Sequence, residues 1–292
     1  MSKNVITSYK GFDKNMKCRG FQYEVGKEYE MDGEIKCCKQ GFHACKSPME
    51  VWDYYDMLSS RYAEVEQSGK IDKEENSTKV CSSRIKIKAE LKLADIINIG
   101  VEWLKDITSP SKVKTDGELN DNGDRKKQIG SSGYSAQIGS SGDYAKIGSS
   151  GDSAKIGSSG DSAQIGSSGD SAQIGSSGDY AKIGSSGDSA QIGSSGDSAQ
   201  IGSSGDSAQI GSSGDYAKID STGEDSVIMC AGYNSKAKAK VGSWITLAEW
   251  KCIEEKNRNI PACVKTEYVD GENIKADTWY QLKNGNFVEV NE

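Results

Sequence analysis

The chain has 292 residues, a formal net charge of −7 and 35% hydrophobic residues. This mild acidity disfavours non-specific binding to nucleic acid, and no run approaches the roughly 20 apolar residues that cross a bilayer. The first residues also lack the apolar segment of a secretory signal, so we expect a cytoplasmic protein whose eight cysteines are thiols.

The first 120 residues have the mixed pattern of a small α/β domain. Ser47-Pro48-Met49-Glu50 combines a capping box with proline at the first helical position, which predicts a helix there. The segments RYAEVEQSGKI and SSRIKIKAEL alternate as strands, and LADIINIGVEWLKDI has the periodicity of a second helix. Pro110 and the polar run after it mark the join to the next region.

His43 is the only histidine, and Cys45, Cys37, Cys38 and Cys18 lie close to it in the sequence. Zinc takes four nitrogen and sulfur ligands, so a zinc site is one hypothesis. No C-x₂-C pair is present, however, and buried cysteines pack well as small hydrophobes. A nucleophile at Cys45 or Cys37 would lack an identifiable orienting group. We therefore expect these residues to be structural, with no metal and no cofactor.

The segment from Gly41 to Tyr54 resembles the strand-then-helix segment of ADP-ribosyltransferases. The resemblance implies a first motif at Arg19-Gly20 or Lys10-Gly11, and an acidic residue at Glu64 or Glu66. The alternative is a small α/β domain that nucleates and caps the region that follows.

Isoleucine recurs every nine residues from Ile129 to Ile219, and Ile228 keeps the register. In the unit I-G-S-S-G-D-S-A-Q, Ala and Ile are two residues apart and point to one side of a strand. The remaining S-S-G-D is typical of a turn, with Gly expected to supply a positive φ. Two units then form an 18-residue coil, which predicts a flattened β-solenoid of about six coils with an Ile and Ala core.

Two positions of the repeat vary together. Tyr before Ala and Lys after it occur in three units that are 36 residues apart, which equals two coils. If a coil has 18 residues, the three Tyr-Lys pairs lie on one face at a spacing of roughly 10 Å. We predict that this face binds a partner through Tyr144, Lys146, Tyr180, Lys182, Tyr216 and Lys218. Duplication of a four-unit block would create the same spacing without selection on the surface.

Two other interpretations of the repeat are less consistent with its residues. A flexible Gly/Ser linker does not need Ile at every ninth position. The calcium-binding nonapeptide has the same period, but Ile and Ser stand here where two of its glycines are expected.

The last 50 residues predict a β-meander that covers the end of the rod. Asp270-Gly271 and Asn284-Gly285 are hairpin turn signals. Trp244, Trp250 and Trp279 are the expected covering side chains.

Both ends of the chain resemble a poorly characterised family of phage and prophage proteins, several of which contain Ser/Gly/Ala-rich repeats. The similar segments are YKGFD, CRGFQYEVGKEYE, GFHACKSPMEVWDYY, GSWITLAEW and IKADTWYQLKNGNFVEV. The resemblance implies a viral or prophage origin and the cytoplasm of a bacterial host. It transfers no activity.

The sequence therefore predicts three regions: an α/β domain in residues 1–120, a nonapeptide β-solenoid in 121–242 and a β-rich cap in 243–292. The preferred function is a non-enzymatic binding protein for a host protein, with inhibition of a bacterial defence system as one role. An enzyme in the N-terminal domain and a self-assembling fibre or decoration protein of the virion are the alternatives. Oligomers are compatible with each of them.

Overall fold

The computed structural model describes residues 5–74, 77–107, 119–120, 128–253 and 258–291. Its internal contacts divide the chain into two compact units, Met1–Trp103 and Leu104–Glu292. We call them the N-terminal unit and the repeat unit. The three-region division stays a prediction. Within the described ranges, no helix is long and apolar enough to cross a membrane.

The N-terminal unit is a small antiparallel sheet with one α-helix. The pairings β1–β5, β5–β7, β7–β6 and β6–β1 form a closed ring, and β4 is added to β7. Apolar side chains inside this sheet, including Phe12, Phe42 and Ile85, form its core. The strands are β1 Ile6–Phe12, β2 Lys17–Cys18, β3 Phe21–Gln22, β4 Glu28–Glu30, β5 Phe42–Cys45, β6 Arg61–Lys73 and β7 Lys79–Leu91.

Of the two helices predicted for this region, the second is confirmed as α1, Leu93–Ile107. The first is wrong as an α-helix, because Met49–Asp53 forms only a 3₁₀ turn without a side-chain cap. The expected cap residue Glu50 instead accepts hydrogen bonds from the hydroxyl of Ser77 and from Thr78. The carboxylate therefore connects this turn to the segment at Ser77 and Thr78 and does not cap a helix.

The repeat forms the predicted β-solenoid with 18 residues per coil. Every unit contributes one four-residue strand, and each strand pairs in parallel with the strand 18 residues further on, as Ile156 does with Ile174. Ile and Ala fill the interior. Eight parallel strands stack in one sheet and seven in the other, which gives about seven coils, since β8 (Leu119–Asn120) and β22 (Trp244–Ile253) extend the stack of repeat strands. The strands are β8 Leu119–Asn120, β9 Gln128–Ser131, β10 Gln137–Ser140, β11 Lys146–Ser149, β12 Lys155–Ser158, β13 Gln164–Ser167, β14 Gln173–Ser176, β15 Lys182–Ser185, β16 Gln191–Ser194, β17 Gln200–Ser203, β18 Gln209–Ser212, β19 Lys218–Ser221, β20 Val227–Cys230 and β21 Lys236–Lys238.

The two sheets differ in the residue that follows Ala. The sheet with even-numbered strands from β8 to β22 carries mostly Gln at this outward position, and we call it the glutamine sheet. The sheet with odd-numbered strands from β9 to β21 carries most of the repeat lysines, and we call it the lysine sheet.

The turns of the solenoid use different residues than the sequence predicts. The residue before Ala, or before Ser226 and Ser235 where these replace Ala, has a left-handed φ of 52° to 59° in every unit from Tyr144 to Asn234. In residues 128–232, which the structure describes throughout, no glycine has a positive φ. The glycine before Asp is needed for space instead, because a Cβ on Gly187 would collide with the backbone of Gly169 in the preceding coil. The expectation that glycine supplies the positive φ is therefore wrong.

Antiparallel strands cover the C-terminal end of the solenoid. They form two hairpins: β22 Trp244–Ile253 with β23 Arg258–Tyr268, and β24 Tyr280–Lys283 with β25 Asn286–Glu289. The strand β24 also pairs with β21. Asn284-Gly285 is the predicted hairpin turn, with φ values of 50° and 70°.

Two details of the predicted C-terminal cap are wrong. Asp270-Gly271 lies in the loop that joins the two hairpins, where the Asp270 carboxylate accepts backbone hydrogen bonds. The tryptophans do not all cover the rod, since Trp244 is 48% exposed. The buried side chains that close the core at this end are Leu247, Val269, Ile274, Tyr280 and Leu282.

Candidate functional site

The three repeat tyrosines lie in one column at one edge of the solenoid. Tyr144, Tyr180 and Tyr216 occupy the left-handed turn position, which is Ser162 and Ser198 in the intervening coils. Their side chains are 46%, 61% and 51% exposed. The two-coil spacing follows the prediction, but the tyrosines stand in turns, whereas the sequence pattern placed them in strands.

The lysines that accompany these tyrosines are less accessible. Lys146, Lys182 and Lys218 stand at the outward position of the lysine sheet, in register with the intervening glutamines. Lys146 is only 8% exposed and the other two are half-buried, and all three take part in interactions within the chain. Tyrosines and lysines therefore lie on the same side of the solenoid, with only the tyrosine rings well exposed. Their role in binding stays a prediction.

A row of aspartates runs beside the tyrosine column. In each unit from Asp143 to Asp215, Asp precedes the left-handed residue, so Asp143, Asp179 and Asp215 directly precede the three tyrosines. The carboxylates of Asp143 and Asp179 each accept a hydrogen bond from the backbone N–H of the corresponding Asp in the next coil. The carboxylate of Asp215 accepts one from the backbone N–H of Tyr233. We call this surface the tyrosine edge; it consists of Asp143, Tyr144, Asp161, Asp179, Tyr180, Asp197, Asp215 and Tyr216.

The glutamine sheet presents a second regular surface. Gln173, Gln191 and Gln209 are exposed along one row, and glycines such as Gly193 form the floor of an open groove of about 1050 Å³ beside them. Sequence reasoning missed the different exposure of the two sheets, because their strands share the same pattern and differ mainly in a Gln or Lys at the first position.

A separate cavity of about 620 Å³ lies in the N-terminal unit. Lys10 on β1 lines it, and its ammonium donates to the carbonyl oxygen of His43 at 3.0 Å and to Sγ of Cys18 at 3.5 Å. The same Nζ lies 5.5 Å from the ring centroids of Phe12 and Tyr23. Burial is the main cause that lowers the pKa of Lys10. Sequence reasoning did not locate this cavity, because its lining comes from several short strands and turns between Tyr9 and Lys79 whose packing the sequence does not show.

The residues considered for zinc do not converge on a metal. Among the described residues, no group of three or more His, Cys, Asp or Glu side chains could hold an ion. Nε2 of His43 already accepts a 3.0 Å hydrogen bond from the backbone N–H of Cys38. Burial, followed by the charge of Lys10, lowers the pKa of His43. Nε2 is therefore a structural hydrogen-bond acceptor for the Cys38 backbone.

The residues of the ADP-ribosyltransferase hypothesis are only partly brought together. Lys10, Gly11, Arg19 and both Tyr54 and Tyr55 line the cavity. The two candidate acids lie on β6 outside that lining, Glu64 opposite Tyr9 and Glu66 paired with Lys88 at 2.8 Å. The acids that do line the cavity are Glu28 and Glu30. ADP-ribosyl transfer stays an untested alternative.

A family model described as a domain of unknown function, DUF7666, matches residues 6–99. This range holds β1 to β7 and the first half of α1, and it leaves the repeat unit unmatched. The match confirms the similarity of the N-terminal segment to an uncharacterised family. No curated protein and no solved structure matches the chain.

Proposed function

We propose that this chain is a phage-encoded, non-enzymatic binding protein whose solenoid presents the tyrosine edge to a host protein. The main support is the backbone conformation of three exposed tyrosines. Tyr144, Tyr180 and Tyr216 have φ values of 57° to 59°. A bulky side chain is uncommon at a positive φ, whereas the serines in neighbouring coils adopt this turn at the same position. Because the tyrosine rings are exposed, little burial compensates for this conformation.

The regular spacing of the tyrosines favours a protein partner. Two coils separate successive rings, which corresponds to about 10 Å along the rod. Tyrosine is enriched among the residues that dominate binding energy, since its ring offers a large contact area with few rotatable bonds. A rigid row of rings can therefore contact an extended protein surface with a small loss of conformational entropy.

The negative charge of the tyrosine edge further restricts the class of partner. Each tyrosine follows an aspartate, and the intervening coils add Asp161 and Asp197 to the same row. A row of carboxylates beside aromatic rings is complementary to a basic surface that exposes Lys and Arg. The partner class is thus a host protein with a basic, extended face. The resemblance to phage and prophage proteins supports a component of a bacterial defence system as the first target to test.

A pull-down with the full chain from lysate of the natural host tests this proposal. The test variant replaces Tyr144, Tyr180 and Tyr216 by Ser, the residue that intervening coils carry in the same conformation. The control is Tyr134→Ser, because Tyr134 is 71% exposed and lies on the opposite edge of the solenoid, at the aspartate position of its unit and one coil before Asp152.

We expect a basic host protein that the wild type and the control retain and the triple variant loses. Equal capture by the triple variant would reject the tyrosine edge as the binding surface. Presence of the chain in purified virions as an assembled component would favour the structural alternative instead.

A further inference from the structure

The cavity of the N-terminal unit contains a buried cation without an acidic partner. Lys10 is 4% exposed, and among the residues that the structure describes no carboxylate forms an ion pair with its ammonium. An ammonium has three donors, and two of them are used by the carbonyl of His43 and the thiol of Cys18. The rings of Phe12 and Tyr23, 5.5 Å from Nζ of Lys10, offset only part of the cost of burying this charge. A lysine at this place is therefore suited to meet an anion that enters the cavity.

A second cation is held over the same cavity by an unfavourable turn. Arg19 and Gly20 form the two-residue connection between β2 and β3, with φ values of 50° and 80°. Such a turn strongly prefers Asn, Asp or Gly at both positions. Arg19 lines the cavity and is exposed. None of the ion pairs between described residues contains the Arg19 guanidinium, so no ion pair explains an arginine in the turn.

Several aromatic side chains line the remaining walls, together with the acids Glu28 and Glu30, and Glu30 is paired with Arg84. Phe21 lines the cavity, is 46% exposed and contacts Tyr23 and Tyr29 edge-on, with centroid distances of 4.8 and 5.3 Å. Tyr55 lines another side of the cavity, and its hydroxyl is hydrogen-bonded to Sγ of Cys18 at 2.9 Å. A volume of about 620 Å³ is within the range of small-molecule sites and exceeds what an inorganic anion needs.

We propose that this cavity binds a small aromatic anion, with its acidic group between Lys10 and Arg19 and its ring against the aromatic wall. The acidic group supplies the acceptor that Lys10 lacks. Arg19 is able to form a bidentate contact with a phosphate or a carboxylate. This site is independent of the tyrosine edge, so either proposal stands if the other fails.

Titration calorimetry with the full chain tests the site with four probes. AMP and indole-3-propionate combine a flat ring with a phosphate or a carboxylate, and so distinguish the two acid sources. Adenosine and inorganic phosphate each supply only one half of that chemistry. We expect at least one of the two combined probes to bind more tightly than both half probes, by about tenfold or more.

Two variants connect binding to the named cations. Lys10→Met removes the buried charge and keeps the length of the side chain, and Arg19→Asn places a preferred residue in the turn. We expect Arg19→Asn to raise the melting temperature of the free protein while weakening the binding of the probe at least tenfold. Lys10→Met should bind at least tenfold more weakly without losing stability. Lys88→Met, an exposed lysine of the same unit paired with Glu66, is the matched control and should bind as the wild type does.

The proposal is overturned if neither combined probe binds more tightly than the half probes, or if Arg19→Asn binds as tightly as the wild type. Arg19→Asn decides the matter if Lys10→Met does not fold.

Discussion

Oδ1 of Asp179 accepts a 2.8 Å hydrogen bond from the backbone N–H of Asp197, which lies one coil further along the solenoid. The same contact joins Asp188 to Asp206 on the opposite edge, also at 2.8 Å. Successive coils are thus connected by a hydrogen bond to a turn carboxylate, in addition to the hydrogen bonds between their strands. The contact stacks like charges about 4.8 Å apart along both edges, which opposes part of this stabilisation.

Asp179→Asn should separate these two effects. Asn keeps an oxygen acceptor for the N–H of Asp197 and removes one charge from the row, so we expect the free energy of unfolding to stay equal or rise. Asp179→Ala removes the acceptor and should lower it by about 0.5–1.5 kcal/mol. Urea denaturation at about 0.01 M and about 1 M salt measures both variants, since the repulsion is screened over that range. An Asn variant as unstable as the Ala variant would contradict the role given to the acceptor oxygen.

The two glycines of the repeat should respond differently to the same substitution. A Cβ on Gly187 would collide with the backbone of Gly169, whereas nothing lies within 4 Å of a Cβ on Gly193 in the glutamine sheet. We therefore expect Gly187→Ala to lower the free energy of unfolding by about 3 kcal/mol or more, because the backbone cannot yield as a side chain can. Gly193→Ala should lower the free energy of unfolding by less than about 1 kcal/mol, or raise it. Thermal unfolding of both variants is the measurement, and similar losses would contradict the close stacking of the turns.

The inward serine of the strand presents a buried hydroxyl to an apolar interior. Oγ of Ser185 is buried and has no hydrogen-bond partner in the described part of the chain. Ser185→Ala should raise the free energy of unfolding by about 1 kcal/mol, because no bond is lost and a polar group leaves the core. Ser235 is the matched control, since its Oγ accepts from the N–H of Ala217 and donates to the carbonyl of Gly214. Ser235→Ala should lose about 1 kcal/mol, and chemical denaturation should place the two variants on opposite sides of the wild type.

The solenoid could be predicted because its main determinant is local. An isoleucine at every ninth position and an alanine two residues before it fix the strand direction and the 18-residue coil, whatever the rest of the chain does. The turn was misassigned for a physical reason: glycine satisfies either a positive φ or a lack of space, and the sequence of the unit does not distinguish them. Gly187 is required for lack of space, whereas Tyr180 or a serine adopts the positive φ.

The exposed and buried faces could not be predicted, because identical strands have different surroundings in the two sheets. Lys146 is nearly buried, while Gln173 at the equivalent position of the other sheet is exposed. The ADP-ribosyltransferase hypothesis named Lys10, Arg19 and Tyr54, which line the cavity of the N-terminal unit, but the cavity itself could not be predicted. Lys10 lies on β1, Arg19 in the turn between β2 and β3, and Tyr55 after the 3₁₀ turn, so their proximity depends on how these elements pack.

Titration of the captured host protein against the full chain tests the central claim most directly. The series contains the wild type, the three single Tyr→Ser variants of the tyrosine edge, the triple variant and Tyr134→Ser. The account predicts a loss of affinity for each single variant, a loss of at least 100-fold for the triple variant and none for Tyr134→Ser. A triple variant that binds within about twofold of the wild type would contradict it.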